Sequence, residues 1–144
     1  MAYCILTDIK KLIPEDTLIQ LTDDEGAGIV NQGRIDEAIA QADAEIDAYL
    51  GGRYSVPLTP VPDVVKKVSV DMAIYNLYSR RVEEIPATRA DRYKGAIRLL
   101  EGIAKGTVSI GEAVEPTAAE STDQAKVSTS SEDRIFTRDK LGGY

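Results

Sequence analysis

Histidine and tryptophan are absent from this chain of 144 residues, and cysteine and phenylalanine occur once each, as Cys4 and Phe136. Without histidine the chain cannot build a serine–histidine or cysteine–histidine nucleophile pair, and it offers no imidazole ligand to a metal. A single cysteine forms neither an intramolecular disulfide nor a zinc cluster, which fits synthesis in a reducing cytoplasm. We therefore expect a non-enzymatic protein that binds no cofactor and no metal.

Positive charge is also scarce, because 17 lysine and arginine residues face 24 acidic residues and leave a net charge of −7. Affinity for nucleic acid comes mostly from cations that neutralise phosphates, so this balance disfavours a nucleic-acid clamp. No stretch approaches the ~20 apolar residues that span a bilayer. The N-terminus also lacks the basic and apolar regions of a secretion signal. We expect no specific nucleic-acid binding and no membrane partner.

Apolar residues recur at steps of three and four over residues 34–50, which predicts an amphipathic helix. The next helix, from an Asp63 cap to about Arg81, is apolar over more than half its circumference and is therefore predicted to be central. Weaker patterns predict a helix over residues 87–105 and two short helices over residues 8–13 and 15–21. The sequence thus predicts an all-α fold, a small bundle of three main helices and one or two short N-terminal helices, with an extended C-terminal arm.

The segments between the predicted helices are rich in turn-forming residues. Residues 22–33 read as a loop, and residues 53–62 as an extended strap because it holds three prolines. Gly51 and Gly52 are predicted to end a helix in the left-handed conformation. Three of the four residues at 107–110 are β-branched, and this segment is predicted to be either a short strand or merely extended chain. We take residues 1–111 as one helical body.

A polar stretch at residues 112–133 separates this body from an apolar and cationic end at residues 134–144. The polar stretch buries too little apolar surface to offset its ordering entropy, which predicts a flexible linker. The end is predicted to dock on a partner protein through Arg134, Ile135, Phe136, Thr137, Arg138, Lys140, Leu141 and Tyr144. The alternative is that residues 134–144 fold back on their own body.

Carboxylates of residues 36, 43 and 47 fall near one face of the first long helix, which would suit acid–base chemistry or a hard metal ion. A solvated face opposite the apolar stripe explains them more simply, and we favour it. Cys4 is expected to be a small buried or interfacial residue.

Tyrosines at positions 75 and 78 share a helix face, and tyrosines at 49 and 54 bracket a helix end. They could stack on bases, but packing in the core is the favoured interpretation. The candidate contacts between subunits are Arg53, Tyr54, Arg80 and Arg81. Arginines 80 and 81 suit either the negative end of a helix dipole or an acidic face on a neighbouring copy.

Several segments, taken in order, resemble one family of viral proteins. They are Ile46-Asp47-Ala48-Tyr49-Leu50-Gly51-Gly52-Arg53-Tyr54, Pro57, residues 64–67, residues 73–81, Tyr93-Lys94-Gly95-Ala96-Ile97, residues 104–106 and the ending that begins at Arg134. Their order and spacing resemble the head–tail connector (adaptor) proteins of tailed bacteriophages, closest to the Mu-like branch. The resemblance covers nearly the whole chain.

The resemblance implies a mainly helical structural virion protein, made in the host bacterial cytoplasm and located at the neck of the particle. Such proteins form a homo-oligomeric ring, typically of twelve copies, beneath the portal of the DNA-filled head. The ring extends the DNA channel without binding DNA specifically, and it offers a platform to a tail or neck protein. Residues 134–144 would then dock on the portal or on a neck protein. The alternative is a non-viral helical adaptor or scaffold that binds one partner through its C-terminal peptide.

Overall fold

Five α-helices make up the body of the protein, as seen in a computed structural model that describes residues 1–81 and 84–111. They are α1 (Leu6–Lys10), α2 (Glu15–Thr22), α3 (Gln32–Leu50), α4 (Asp63–Ser79) and α5 (Ala87–Ala104). These described ranges contain no β-strand, so the prediction of an all-α bundle is confirmed. The predicted linker 112–133 and docking segment 134–144 lie outside the described residues.

Helix α4 lies at the centre of the bundle, as its apolar pattern predicts. It contacts each of the other four helices, most extensively α3 and α5. Its fully buried side chains include Met72, Ile74 and Leu77. They share one hydrophobic core with equally buried residues such as Ile46 of α3 and Leu100 of α5. A helix with neighbours on several sides needs apolar residues around most of its surface, which explains the absence of a single narrow stripe.

Two predicted helix starts are wrong by two residues. Helix α1 begins at Leu6 rather than Asp8, and the Asp8 carboxylate accepts the backbone N–H of Ile5 at 3.3 Å instead of following a Thr7 cap. Helix α3 begins at Gln32 because the side chain of Asn31 accepts the backbone N–H of Arg34. Asparagine is among the best N-cap residues, and this one pulls the start of α3 back into the predicted loop.

The two glycine-marked helix ends differ from each other. Gly51 keeps a right-handed conformation with φ of −61°, so the predicted left-handed ending is wrong there. Gly106, just past α5, does adopt a left-handed φ of +79°. This backbone conformation favours glycine, because it strains residues that carry a side chain. A side-chain carbon at Gly106 would also displace the Arg53 guanidinium, which is the movable end of a flexible side chain. Residues 107–110 are irregular rather than a strand, and Ile110 is buried.

No helix within the two described ranges is both long enough and apolar enough to cross a membrane.

Replacing Ile74 by alanine is expected to lower the free energy of unfolding by about 2–5 kcal/mol, because the side chain is fully buried in the central helix. The same substitution at Ile29, whose side chain is 67% exposed, is the matched control and should change stability by less than about 0.5 kcal/mol. Urea denaturation of both variants measures the difference. Equal effects at the two positions would contradict the central packing of α4.

Candidate partner-binding surfaces

Tyr3 fixes the N-terminal segment to two parts of the body. Its backbone N–H donates to Asp43 Oδ2 at 2.9 Å, and its hydroxyl donates to the Asp47 carboxylate. The same hydroxyl accepts the backbone N–H of Leu58 at 3.0 Å. Burial, followed by the hydrogen bond to Asp47, raises the pKa of Tyr3 to about 12. Residues ahead of α1 are therefore held firmly against α3 and the strap.

Asp43 is buried, so the predicted solvated face is wrong at this position. Its second carboxylate oxygen accepts the Ser69 hydroxyl of α4 at 2.7 Å. Burial raises the pKa of Asp43, although the bonds from Ser69 and Tyr3 oppose that shift. Across the described parts of the chain no three cysteine or acidic side chains are placed to hold a metal ion. The carboxylate therefore acts as an anchor between the N-terminal segment, α3 and α4.

Cys4 is buried beside this anchor. The sequence predicted either a buried or an interfacial residue, and the first of these is confirmed. The Cys4 Sγ atom lies 3.2 Å from the Ser69 hydroxyl oxygen, which already donates its proton to Asp43. Burial raises the pKa of the Cys4 thiol to about 11. A thiol so rarely ionised at neutral pH is a poor nucleophile, and here it serves as a small packing residue.

An open groove of about 580 Å³ runs between the N-terminal segment and α3. Its apolar lining includes Ile5, which is 57% exposed, and Ile39 at the floor. Asp36 and Asp47 of α3 also line it, together with the buried Asp43. We call this feature the N-terminal groove: an open trough with apolar side chains on one wall and carboxylates along the α3 side.

Aromatic side chains form a second surface on the other side of α3. The rings of Tyr75 and Tyr93 stack with their centroids 4.0 Å apart and their planes 14° from parallel. The Tyr93 hydroxyl donates to Glu45 of α3 at 3.0 Å, and burial, followed by this bond, raises the pKa of Tyr93 to about 12. Tyr49 lies one turn beyond Glu45 on α3 and is half-buried. We call Glu45, Tyr49, Tyr75 and Tyr93 the tyrosine face.

The core-packing prediction for the tyrosines is confirmed at three of its four positions. Tyr54 is only 1% exposed, and Tyr49 and Tyr78 are half-buried against the core. Tyr75 instead places its ring against Tyr93 of α5. A stacked ring with a carboxylate close by is a poor platform for a base, because a phosphate backbone would approach the negative charge of Glu45.

Arg80 and Arg81, two of the predicted inter-subunit residues, form ion pairs with Asp24 of their own chain. Both Arg80 Nη atoms and one Arg81 Nη atom lie 2.6–2.9 Å from the Asp24 carboxylate, and Arg34 Nε lies 3.6 Å from it. Arg81 and then Arg80 hold the pKa of Asp24 below its ordinary value. These contacts fasten the loop between α2 and α3 onto the end of α4.

Arg53 and Tyr54, the other two predicted inter-subunit residues, occupy different environments. The Arg53 guanidinium passes over Gly106 and lies 5.9 Å from the centre of the Tyr54 ring. Tyr54 belongs to the core, whereas the side chains of Arg53, Arg80 and Arg81 are partly exposed at the surface. The partner-binding residues predicted at 134–144 lie outside the described residues.

Neither the N-terminal groove nor the tyrosine face was predicted from the sequence. Both depend on contacts between residues forty or more positions apart, such as Tyr3 with Asp43 and Glu45 with Tyr93. One local pattern does point to the burial of Asp43. It follows Ile39 by four residues and precedes Ile46 by three, which places it within the apolar stripe of α3.

Comparison with known proteins gives the family. The family described as "Bacteriophage Mu, Gp36" matches residues 3–129 of the chain. The Mu-like prophage FluMu protein gp36 of Haemophilus influenzae is 35% identical over 96 residues, which are 67% of this chain and 66% of that protein. Gene product J of Escherichia phage Mu is 35% identical over 109 residues, covering 74% of this chain and 73% of that protein.

The chain therefore belongs to the bacteriophage Mu Gp36 family, and the resemblance to Mu-like phage proteins is confirmed. It is a phage protein of the structural or morphogenesis type.

The stability of the wild type relative to Asp43→Asn is expected to fall as the pH rises above about 4 and then to level off. Because burial raises the pKa of Asp43 in the folded state, the folded chain retains a proton that the unfolded chain releases in that window. Asparagine does not titrate and removes this dependence. Urea unfolding of both proteins at a series of pH values measures it, with exposed Asp36→Asn as the control. If the free energy of unfolding of wild type and Asp43→Asn changed in parallel with pH, the raised pKa of Asp43 would be contradicted.

Cys4 in the folded protein should react with a maleimide at pH 8 at least about a hundredfold more slowly than in urea, since its pKa is about 11 instead of the usual ~8.5. A Cys4→Ser, Ile5→Cys variant moves the thiol to the exposed neighbour and should react rapidly. Mass spectrometry of timed samples follows the labelling. Equal rates for Cys4 in native and denatured protein would show that it is not buried.

Proposed function

We propose that the chain is a ring subunit of the head–tail connector, which docks under the portal, extends the DNA channel and gives neck or tail proteins a platform. The observation that carries this proposal is the match to the Mu Gp36 family over residues 3–129. The order and spacing of the sequence segments that resemble connector proteins support it. The role is structural and needs no catalysis. The location that follows is the neck of the virion.

The charge of the chain supports a conduit rather than a DNA-binding protein. A subunit with a net charge of −7 repels the phosphate backbone, so DNA can slide past a ring of such subunits without being held. Within the described body, Arg80 and Arg81 are already engaged by Asp24. This arrangement reduces their attraction to DNA.

Residues 134–144 are proposed as the segment that docks on the portal or on a neck protein. Apolar side chains such as Ile135, Phe136 and Leu141 each contribute roughly 1.5–3 kcal/mol when fully buried. Ordering the segment offsets much of that gain, so a single copy binds weakly. Several tethered copies in one ring act together and raise the overall affinity by orders of magnitude.

The alternative of a non-viral adaptor is less well supported, because both reported relatives come from a phage or a prophage. Contacts between ring subunits would use the helical body, with the arginines at positions 53, 80 and 81 as candidates at its surface.

Deleting residues 134–144, or replacing Phe136 by alanine, is expected to weaken retention on immobilised portal protein by at least tenfold. The melting temperature of the body should change by no more than about 2 °C, because the segment is proposed to bind outside the body. Val127→Ala, in the predicted linker, is the matched control and should bind like the wild type. Pull-down and thermal unfolding measure the two effects. A fall of many degrees after truncation would show that the segment belongs to the core and would overturn the docking role.

A further inference from the structure

The N-terminal groove and the tyrosine face lie on opposite sides of α3. Asp36, Ala40 and Asp47 line the groove, whereas Glu45 and Tyr49 belong to the tyrosine face. At 3.6 residues per turn these two sets are separated by about 180° around the helix axis. Within residues 1–81 and 84–111, one copy therefore presents two different surfaces on opposite sides of α3.

The tyrosine face holds half-buried aromatic rings and the Glu45 carboxylate, and α5, the helix that carries Tyr93, also carries exposed cations. Tyr75 and Tyr93 are stacked and only partly covered by the body. Ile97 lies one helical turn beyond Tyr93, and the exposed Lys94 and Arg98 follow these two residues on α5. Partly exposed tyrosines beside cationic side chains are typical of surfaces that bury aromatic anchors in a partner.

The N-terminal groove has the complementary composition. It is an open groove of about 580 Å³ with a mixed apolar and polar lining, and Met1, 81% exposed, and Ile5, 57% exposed, lie along one wall. The exposed Asp36 and the half-buried Asp47 stand on the opposite, α3 side. Asp36 accepts a hydrogen bond from Gln32 Nε2 at 2.7 Å and Asp47 accepts one from the Tyr3 hydroxyl. Each carboxylate keeps further lone pairs that can pair with lysine or arginine.

We propose that these two surfaces meet between copies of this chain: the tyrosine face of one copy packs on the N-terminal groove of the next. Lys94 and Arg98 then approach Asp36 and Asp47 of the neighbouring copy. Because the two surfaces are different and lie on opposite sides of α3, the contact is head-to-tail, and its repetition gives a ring when the rotation closes. The inference rests on the proposed ring subunit and assigns the surfaces that join one subunit to another.

Disulfide cross-linking tests the contact. A variant with Asp36→Cys and Lys94→Cys places one new thiol at each surface, while the native Cys4 stays buried. The two new thiols lie on opposite sides of a single copy, so they should link only between copies. Oxidation of the concentrated full-length protein is expected to give a ladder of covalent multimers on a non-reducing gel. Each single-cysteine variant should stop at dimers.

Two matched variants separate a specific contact from random collision. Lys105→Cys in place of Lys94→Cys moves the second thiol to the exposed end of α5 and should reduce the ladder at least fivefold. Arg98→Glu added to the reactive pair reverses one charge at the tyrosine face. It should reduce the ladder at least threefold at low ionic strength, with partial loss of the difference in high salt.

Three results would overturn the proposed contact: no ladder from the reactive pair, an equal ladder from the Lys105→Cys control, or cross-linking of the groove cysteine to added portal protein instead of to a second copy. Retention on immobilised portal, measured with the same variants, reports separately on the connector role. A missing ladder with normal portal retention overturns the contact alone. If the wild-type chain is not retained on immobilised portal protein, the connector role itself is overturned.

Discussion

The packing of α4 against α3 is the interaction on which the other features depend. Ser69 of α4 anchors Asp43, Tyr75 of α4 supports the aromatic stack, and Arg80 at its end fastens the loop before α3. These three contacts are spread along one helix whose apolar residues are buried on several sides. A shift of α4 would therefore disturb the N-terminal groove, the tyrosine face and the loop together.

Asp43 illustrates how a buried polar group can fix a surface. A buried carboxylate is costly unless its oxygens are hydrogen-bonded, and here the Tyr3 N–H and the Ser69 hydroxyl satisfy both oxygens. The bonds set where the N-terminal segment crosses α3, and that crossing forms one wall of the groove. Tyr3 adds a second attachment through Asp47 and Leu58. The groove is thus a rigid part of the body, although it lies at the end of the chain.

Local patterns predicted most of the helices but few of the surfaces. The end of α3 at Leu50 and the start of α5 at Ala87 follow from apolar spacing and from Pro86. The position of α1 depends on the Asp8 carboxylate, and the burial of Asp43 depends on Tyr3, forty residues away in sequence. Periodicity carries information about which face of a helix is apolar, but not about which distant hydrogen-bond donor comes to cover a carboxylate. The same reason explains why the sequence offered Arg80 and Arg81 either a helix end or a neighbouring copy as partner and did not point to Asp24 of their own chain, which pairs with both.

In the proposed connector role, this five-helix body with two opposed surfaces is a subunit that repeats around an axis. Cryo-electron microscopy of the neck of the phage particle tests this role most directly. A connector subunit predicts a closed ring of these bundles directly beneath the portal, with α3 of each copy between two subunit contacts. A neck that contains no copy of this fold, or copies that do not touch one another, would contradict the connector role.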